Sequence, residues 1–235
     1  MKQIIKAKIY GDSIMKGTIL DGGYRYHATF DSYLARFAKR FNIEAENRAR
    51  FGITIDKGYK LLRQDIESGL DCDFALIEFG GNDSNFHWDE ISLHPETDHE
   101  PLTDFEHFKQ TCRSMIADVI SADVKPILMT LPPIDSEKYL SFLTRNGNSR
   151  EHILQWLGTP ETIYNFHKGY SDAVASIAAE TATPIVDVRR PFMESGNYKE
   201  LLCIDGVHPN EKGYELIAGV FDRFLQKILA DYDTP

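Results

Sequence analysis

The chain has 235 residues, of which 42% are hydrophobic and 26% are charged, and its formal net charge is −10. This composition is typical of a soluble globular protein, and the length suffices for one sizeable domain whose core needs no disulfide or metal. The negative charge argues against a nucleic-acid partner, because binding to a phosphate backbone depends on clustered Lys and Arg side chains.

The hydrophobic pattern predicts strands that alternate with helices along the chain. The strands are predicted at residues 7–10, 43–46, 74–79, 127–131 and 184–188. Long helices are predicted at residues 31–41, 53–68, 104–120, 161–180 and 211–229, with a short one around 153–157. The clearest strand is 74–79, because its nearly continuous apolar run is typical of a parallel sheet covered on both faces.

This alternation predicts a parallel sheet, because each strand–helix–strand crossover is right-handed and covers a face of the sheet. We therefore expect a three-layer α/β/α sandwich whose five-stranded parallel sheet has the flavodoxin-like order 2-1-3-4-5. No linker or repeat divides the sequence, so residues 1–235 are expected to form a single domain. Two loop excursions, at about 84–103 and 134–159, leave from the carboxyl ends of strands.

Three polar clusters lie where open α/β sheets bind ligands, at the carboxyl ends of strands. Gly11-Asp12-Ser13 presents a hydroxyl group on a turn, although such a tripeptide is also an ordinary turn or helix cap. Gly80-Gly81-Asn82-Asp83 combines close backbone approach with an amide donor, and its alternative is again a simple turn. Asp205-Gly206-Val207-His208 places a carboxylate where it can hold an imidazole in one tautomer, or where the pair only caps the last helix.

Together, these clusters supply a serine, a base, an acid and donors for an oxyanion. The chain resembles the SGNH (GDSL-like) hydrolase superfamily over essentially its whole length. Residues 11–13, 80–83 and 205–208 match the first, third and fifth sequence blocks of that family, although Ile14 stands where many members carry leucine. The glycine of the second block is best matched by Gly52, whose neighbours are larger than is usual there.

The resemblance implies that Ser13 is the nucleophile, that His208 is the general base and that Asp205 orients His208. It also implies an oxyanion hole that combines the backbone N–H groups of Ser13 and Gly52 with the side-chain amide of Asn82. Water activated by His208 would then hydrolyse the acyl-enzyme. No metal and no organic cofactor are required.

Further residues are candidates for substrate binding. Asp12, Asp83 and Trp88 are taken as such, Trp88 because it is an aromatic residue close in sequence to Asn82. The aromatic residues of both excursions either wall the pocket or pack the excursions against the domain. The stretch between His87 and His107 is rich in His and acidic residues, but its spacing matches no zinc site, so we expect a flap there and no metal.

We therefore predict a serine esterase that hydrolyses a small soluble carboxylic ester, with an O-acetyl group on a carbohydrate as the leading candidate. An acyltransferase or a thioesterase with the same triad remains an alternative. A non-catalytic, flavodoxin-like binding module is the rival of another class, but residues 11–17 lack the glycine-rich pattern of phosphate sites.

The expected partner is thus a small-molecule ester, with no nucleic acid and no membrane. Cys72, Cys112 and Cys203 have no metal-ligand spacing and are odd in number, which indicates reduced thiols. The amino-terminal residues lack the features of a secretory signal, and no apolar run approaches the length of a membrane span. These features predict a cytoplasmic protein, and they do not indicate an oligomeric state.

Overall fold

The computed structural model describes residues 4–28 and 30–232. Its strands are β1 (Ile5–Gly11), β2 (Thr18–Leu20), β3 (Tyr26–Ala28), β4 (Ile43–Asn47), β5 (Phe74–Glu78), β6 (Lys125–Met129) and β7 (Ile185–Val186). Its helices are α1 (Phe30–Phe41), α2 (Ile55–Glu67), α3 (Trp88–Leu93), α4 (Phe105–Ser121), α5 (Ser136–Thr144), α6 (Arg150–Leu157), α7 (Glu161–Glu180), α8 (Arg189–Glu194) and α9 (Glu211–Tyr232). A short 3₁₀ helix covers Tyr198–Leu201.

The main sheet has five parallel strands in the order β4-β1-β5-β6-β7. Numbered along the chain within this sheet, the order is 2-1-3-4-5, so the predicted flavodoxin-like arrangement is confirmed. β1 and β5 are central neighbours, and Gly11 at the end of β1 pairs with Glu78 at the end of β5. The loops that follow these two strands therefore leave the sheet side by side.

Alternating side chains divide the interior into two cores on opposite faces of the sheet. On β5, Leu76 packs into the core covered by α1 and α9, whereas Ile77 packs into the core covered by α2, α4 and α7. Because successive strand residues point to opposite faces, a strand buried on both sides has to be apolar at nearly every position. This is the physical reason why β5 was so clear in the sequence, and the three-layer prediction is confirmed.

A third apolar cluster is formed by the two excursions packed against each other. It contains Trp88 and Ile91 from α3, Leu140 from α5 and Ile153 from α6, all of them buried. α3 and α5 were not predicted, because helices of six and nine residues are too short for a clear helical period. The side chain of Asp135 accepts a hydrogen bond from the backbone of α5 and caps that helix, which is a signal the sequence did contain.

A second small sheet, the antiparallel hairpin of β2 and β3, was also absent from the prediction. Each of its strands has only three residues, and β3 is exposed, so neither carries a hydrophobic alternation. Across 4–28 and 30–232, no helix is long and apolar enough to span a membrane. The prediction of one domain over 1–235 stays a prediction, and residues 1–3, 29 and 233–235 lie outside the described residues.

Candidate active site

Three loops meet at the carboxyl edge of the sheet. Ser13 lies two residues after β1, and Asn82 lies four residues after β5, so the pairing of these strands brings both residues to one place. The third loop, 203–208, precedes α9 and is closed by a hydrogen bond from the N–H of Cys203 to the carbonyl of His208, at 2.8 Å. Register and crossover topology thus assemble residues that are far apart in the chain.

The loop before α9 is fastened to the serine turn by a buried tyrosine on that helix. The hydroxyl of Tyr214 lies 3.2 Å from the carbonyl oxygen of Ile14 and 3.1 Å from that of Thr18. Tyr214 is 1% exposed, so these contacts are shielded from water. The position of α9 relative to Ser13 is therefore fixed by polar contacts as well as by packing.

Ser13, His208 and Asp205 form a continuous hydrogen-bonded chain. Nε2 of His208 lies 2.9 Å from Oγ of Ser13, and Nδ1 of His208 lies 2.6 Å from Oδ2 of Asp205. The other oxygen of Asp205 accepts the backbone N–H groups of Val207 and His208 at 3.0 and 3.1 Å. All three triad side chains are buried, so their mutual interactions are weakly screened by water.

The charge state of Asp205 determines the tautomer of the neighbouring histidine. Burial alone would raise the pKa of Asp205, but the hydrogen bonds from His208 and Val207 outweigh that effect and hold this pKa below its usual value. Asp205 is therefore ionised at neutral pH and accepts a hydrogen bond from the N–H at Nδ1 of His208. This leaves the lone pair of Nε2 free to accept the hydroxyl proton of Ser13.

Two backbone N–H groups are placed as candidate donors to an oxyanion. Within the described part of the chain, those of Ser13 and Gly52 make no hydrogen bond to another residue. Gly52 has a φ of +71°, and the space that a Cβ atom would occupy is open. Glycine is therefore favoured at position 52 by its left-handed backbone rather than by crowding.

Asn82 lies beside these groups, and its amide is already engaged. Nδ2 of Asn82 lies 2.9 Å from Oδ2 of Asp12 and 3.2 Å from the carbonyl oxygen of Ile53. An NH₂ group has two hydrogens to donate. An oxyanion would therefore have to replace one of these acceptors, and the longer contact, to Ile53, is the weaker one.

Asp12 and Asp83, both sequence candidates for substrate binding, are buried, and they differ in position. Asp12 lines the cavity, and its Oδ1 accepts the N–H of Ile14 at 2.8 Å. Asp83 is not among the lining residues. Its carboxylate accepts the N–H groups of Ile55 and Gly80, both at 2.9 Å, and the hydroxyl of Thr103 at 2.7 Å. It thus braces the loop after β5 against α2 and the start of α4.

Trp88 occupies a different place from the one expected. It is 5% exposed, belongs to the cluster of the two excursions and is not among the residues that line the cavity. Its indole N–H donates to Oδ1 of Asn85 at 2.6 Å, and Asn85 does line the cavity. Trp88 therefore orients a lining residue instead of facing the substrate.

The triad opens into a cavity of about 200 Å³. Ser13, Asn82 and His208 are among its lining residues, and its apolar wall includes Leu131, Pro132, Ile134 and Ile163. Such a volume admits a small ester and favours one with an apolar or flat component against this wall.

Exposed aromatic rings surround His208 at the mouth of the cavity. The ring of Phe51 is stacked on the imidazole with 6.0 Å between centroids, and the ring of Tyr26 approaches it edge-on at 5.5 Å. Phe51 is 54% exposed and Tyr26 is 44% exposed. Tyr26 was not a sequence candidate, because only the unpredicted β2–β3 hairpin brings it next to a residue 182 positions away in the chain.

The described residues hold no group of three or more His, Cys, Asp and Glu side chains arranged around a possible metal ion. In the stretch that is rich in such residues, His107 pairs with Asp56 at 2.9 Å, and His99 bonds to the carbonyl oxygen of His94 at 2.9 Å. These contacts explain the polar residues as local surface interactions.

Comparison with known proteins adds to this geometry. The model of the GDSL-like lipase/acylhydrolase family matches residues 9–216. An isoamyl acetate-hydrolyzing esterase from Saccharomyces cerevisiae is 26% identical to this chain over 232 residues, which cover 97% of this chain and 88% of the relative.

Solved structures agree on the fold. A catalytic mutant of an acetylxylan esterase from Geobacillus stearothermophilus superposes with a TM-score of 0.67 at 20% identity, and 96% of each chain is covered. A lipase/acylhydrolase from Enterococcus faecalis gives a TM-score of 0.64 at 21% identity, with 93% of this chain and 94% of the other covered. Since the family model spans most of the sequence, this chain belongs to the GDSL-like lipase/acylhydrolase family and is a hydrolase that acts on ester bonds.

Proposed function

We propose that the chain cleaves a small acetate ester through an acyl-enzyme on Ser13. The observation that carries this proposal is the continuous hydrogen-bonded chain from Ser13 through His208 to Asp205, with distances of 2.9 and 2.6 Å. A serine hydroxyl is a weak nucleophile unless a base takes its proton, and this geometry supplies the base, already oriented by a buried carboxylate.

In the first half of the reaction, Oγ of Ser13 attacks the ester carbonyl carbon while its proton moves to Nε2 of His208. Asp205 stabilises the imidazolium that forms. His208 then gives the proton to the departing alkoxide, which leaves as the alcohol, and the acyl group stays on Ser13. In the second half, a water molecule loses a proton to His208 as it attacks the acyl-enzyme, and the acid is released with Ser13 regenerated.

The negative charge that develops on the carbonyl oxygen needs donors that are already in place. The unengaged N–H groups of Ser13 and Gly52 are the first two in this proposal, and the Asn82 amide is the third once it exchanges the Ile53 carbonyl for the oxyanion. Removing one such donor typically lowers turnover by about 10²- to 10³-fold.

Two observations support an acetate ester on a carbohydrate as the substrate class. One relative named above is an isoamyl acetate-hydrolyzing esterase and another is an acetylxylan esterase, so both are associated with acetyl groups. In addition, the exposed rings of Tyr26 and Phe51 stand at the mouth of the cavity, where flat aromatic faces can pack against the C–H face of a sugar. The acyl group would then be short, and the alcohol half would contact the rim.

The test uses p-nitrophenyl acetate, butyrate and octanoate with the wild-type protein, Ser13→Ala and Ser84→Ala. Ser84 is the matched control, because its hydroxyl also lies in the cavity but donates to the carbonyl of Gly81 at 3.1 Å instead of to an imidazole. We expect acetate to be hydrolysed best, Ser13→Ala to lose at least about 10³-fold in kcat, and Ser84→Ala to keep most of the activity.

A fluorophosphonate probe followed by peptide mass spectrometry identifies the nucleophile independently of turnover. Labelling of the peptide that contains Ser13, abolished in Ser13→Ala, is the expected result. Full activity in Ser13→Ala, or labelling at another residue, would show that the nucleophile is wrongly assigned.

A further inference from the structure

One wall of the cavity carries a polar side chain that the proposed reaction does not use. His167, on α7, lines the cavity near Leu131 and Ile163 and is only 7% exposed. Its Nδ1 is fully buried and lacks a hydrogen-bond partner, which leaves Nε2 as the ring nitrogen that a ligand in the cavity can reach. In the described ranges, no residue bonds to Nε2 of His167. Buried polar groups in native proteins are almost always satisfied, so an unpaired imidazole facing a cavity points to a ligand atom.

A buried arginine is close enough to this histidine to act on it electrostatically. Arg189, the first residue of α8, is 8% exposed, and its Nη1 donates to the carbonyl oxygen of Leu131 at 3.4 Å. Its Nη2 is buried without a hydrogen-bond partner. Among the residues that the structure describes, no carboxylate lies within 4.0 Å of this guanidinium, although its carbon atom lies 5.1 Å from the centre of the Tyr164 ring.

The positive charge of Arg189 acts on His167. Burial, and after it the positive charge of Arg189, lower the pKa of His167 to about 3. The ring is therefore neutral at working pH and offers one N–H donor. The uncompensated positive charge is that of Arg189, which does not itself line the cavity. A buried cation without a counter-ion is costly, and a ligand that brings a negative charge would remove that cost.

We infer that His167, together with the nearby Arg189, forms a subsite for a carboxylate group of the substrate. His167 would donate a hydrogen bond to a carboxylate oxygen, and Arg189 would act through its charge, since it is not itself among the lining residues. This inference rests on the proposed function, because the carboxylate and the acetyl ester must lie on one molecule that fills the cavity shared by His167 and Ser13. The expected substrate class is an O-acetylated sugar acid.

The experiment compares two substrates that differ only at one position, the O-acetylated methyl glucuronide and the O-acetylated methyl glucoside. Acetate release gives kcat/KM for each, and the ratio of the two values measures recognition of the carboxylate. We expect the wild-type protein to prefer the glucuronide by at least about tenfold, the effect of one charge-assisted hydrogen bond. His167→Phe and Arg189→Gln should each bring the ratio to within about twofold of one.

Arg113→Gln is the matched control for the loss of a positive charge. Arg113 lies on the surface, where it pairs with Glu180 at 2.7 Å, and it is not among the residues that line the cavity. Its substitution should leave the wild-type ratio intact. A fall in the ratio equal to that of Arg189→Gln would show that net charge alone, rather than this subsite, causes the preference, and would overturn the inference.

Thermal stability separates a binding role from a structural one. In His167→Phe, an aromatic ring of similar size replaces nitrogens that have no partner, so the melting temperature should equal or exceed that of the wild type. A binding role therefore predicts a lost preference in a protein that is at least as stable. A clearly lower melting temperature with an unchanged ratio would assign His167 to the core and overturn the inference.

The remaining outcomes distinguish the two proposals. Equal hydrolysis of both sugars by the wild type would refute the carboxylate subsite and leave the sugar esterase in place. Hydrolysis of p-nitrophenyl acetate but of neither sugar would refute the carbohydrate substrate and this inference together, while the role of Ser13 would stand.

Discussion

At the scale of single residues, the carboxyl group of Glu78 lies next to that of Asp12 at the serine turn. Glu78 at the end of β5 is fully buried, and its Oε2 accepts the N–H of Asp12 at 3.3 Å. Burial, and after it the charge of Asp12, raise the pKa of Glu78 well above its usual value. A protonated Glu78 avoids a second buried charge beside Asp12, whose own pKa is also raised by burial, since two buried charges side by side would repel each other.

The raised pKa predicts how stability depends on pH. Because the folded state holds this proton more tightly than the unfolded state, stability is fully present below the unfolded pKa, about 4.3, and is lost as pH rises toward the folded pKa. Glu78→Gln has no proton to lose and should escape that loss. We therefore expect the melting temperature of Glu78→Gln, relative to wild type, to rise between pH 4 and pH 8.

Two other buried carboxyl groups, those of Asp83 and Asp205, also contribute to the pH dependence of stability. Burial also raises the pKa of Asp83, to about 6, so Asp83 contributes a loss of the same sign that stays in both proteins. Asp205 has the opposite sign, since its pKa is lowered and its contribution is lost only in acid. Because Glu78 also interacts with Asp12, the difference between Glu78→Gln and wild type reports on this pair of carboxyl groups. A pH-independent difference would show that Glu78 is not held protonated.

At the scale of elements, the loop that carries Asp205 and His208 is pressed against α5. Gly206 has a φ of +72°, and a Cβ atom there would lie 2.6 Å from the carbonyl oxygen of Asp135 and 2.9 Å from the backbone nitrogen of Tyr139. These are backbone atoms that cannot rotate away, so Gly206→Ala must displace the loop. We expect kcat to fall by at least about tenfold and stability to fall by more than about 1 kcal/mol.

Gly158→Ala is the control for this prediction. Gly158 ends α6 with a φ of +76°, but no atom lies within 4 Å of the position of its Cβ. Its substitution introduces the same backbone strain, of about 1 kcal/mol, without contact to the loop of Asp205. Steady-state kinetics and thermal unfolding of both variants give the comparison. Equal kcat in the two would mean that the contact between Gly206 and α5 does not position the triad.

Helices and strands with a strong local pattern could be predicted from the sequence, whereas short ones could not. β5 and α7 were predicted nearly to their ends, because a continuous apolar run and a long helical period are properties of local sequence. α3, α5 and the β2–β3 hairpin were missed, because they are short and depend on packing against one another or against the domain. The strand predicted at 184–188 shortens to β7 because Arg189 already begins α8.

The same distinction holds within the site. The sequence identified Ser13, Asn82 and His208, because each belongs to a motif of a few adjacent residues whose side chains suggest a chemical role. Tyr26 and His167 could not, because a lone aromatic or a lone histidine gains meaning only when topology brings it to the cavity. The prediction that Trp88 lines the cavity was wrong for a related reason. Closeness in sequence to Asn82 does not determine the direction in which a side chain on α3 points, and Trp88 packs into the cluster of the two excursions.

At the scale of the whole molecule, the central sheet separates two cores, and each contains a buried thiol. Cys203 belongs to the core of α1 and α9, and Cys112 belongs to the core of α2, α4 and α7. Burial raises the pKa of Cys203 to about 11 and that of Cys112 to about 12, so both thiols are protonated and inert at pH 8. Each thiol reacts only when the part of the chain that covers it opens.

This arrangement tests whether the chain unfolds as one domain. If both layers open only in global unfolding, an alkylating reagent should label Cys112 and Cys203 at the same rate, and that rate should rise in parallel with added denaturant. Peptide mass spectrometry of Cys72→Ser reads the two sites without the half-buried third thiol. Early labelling of Cys203 with Cys112 still protected would instead show that the His208 loop, alone or together with α9, opens before the rest of the chain. Activity should then be lost before the sheet unfolds.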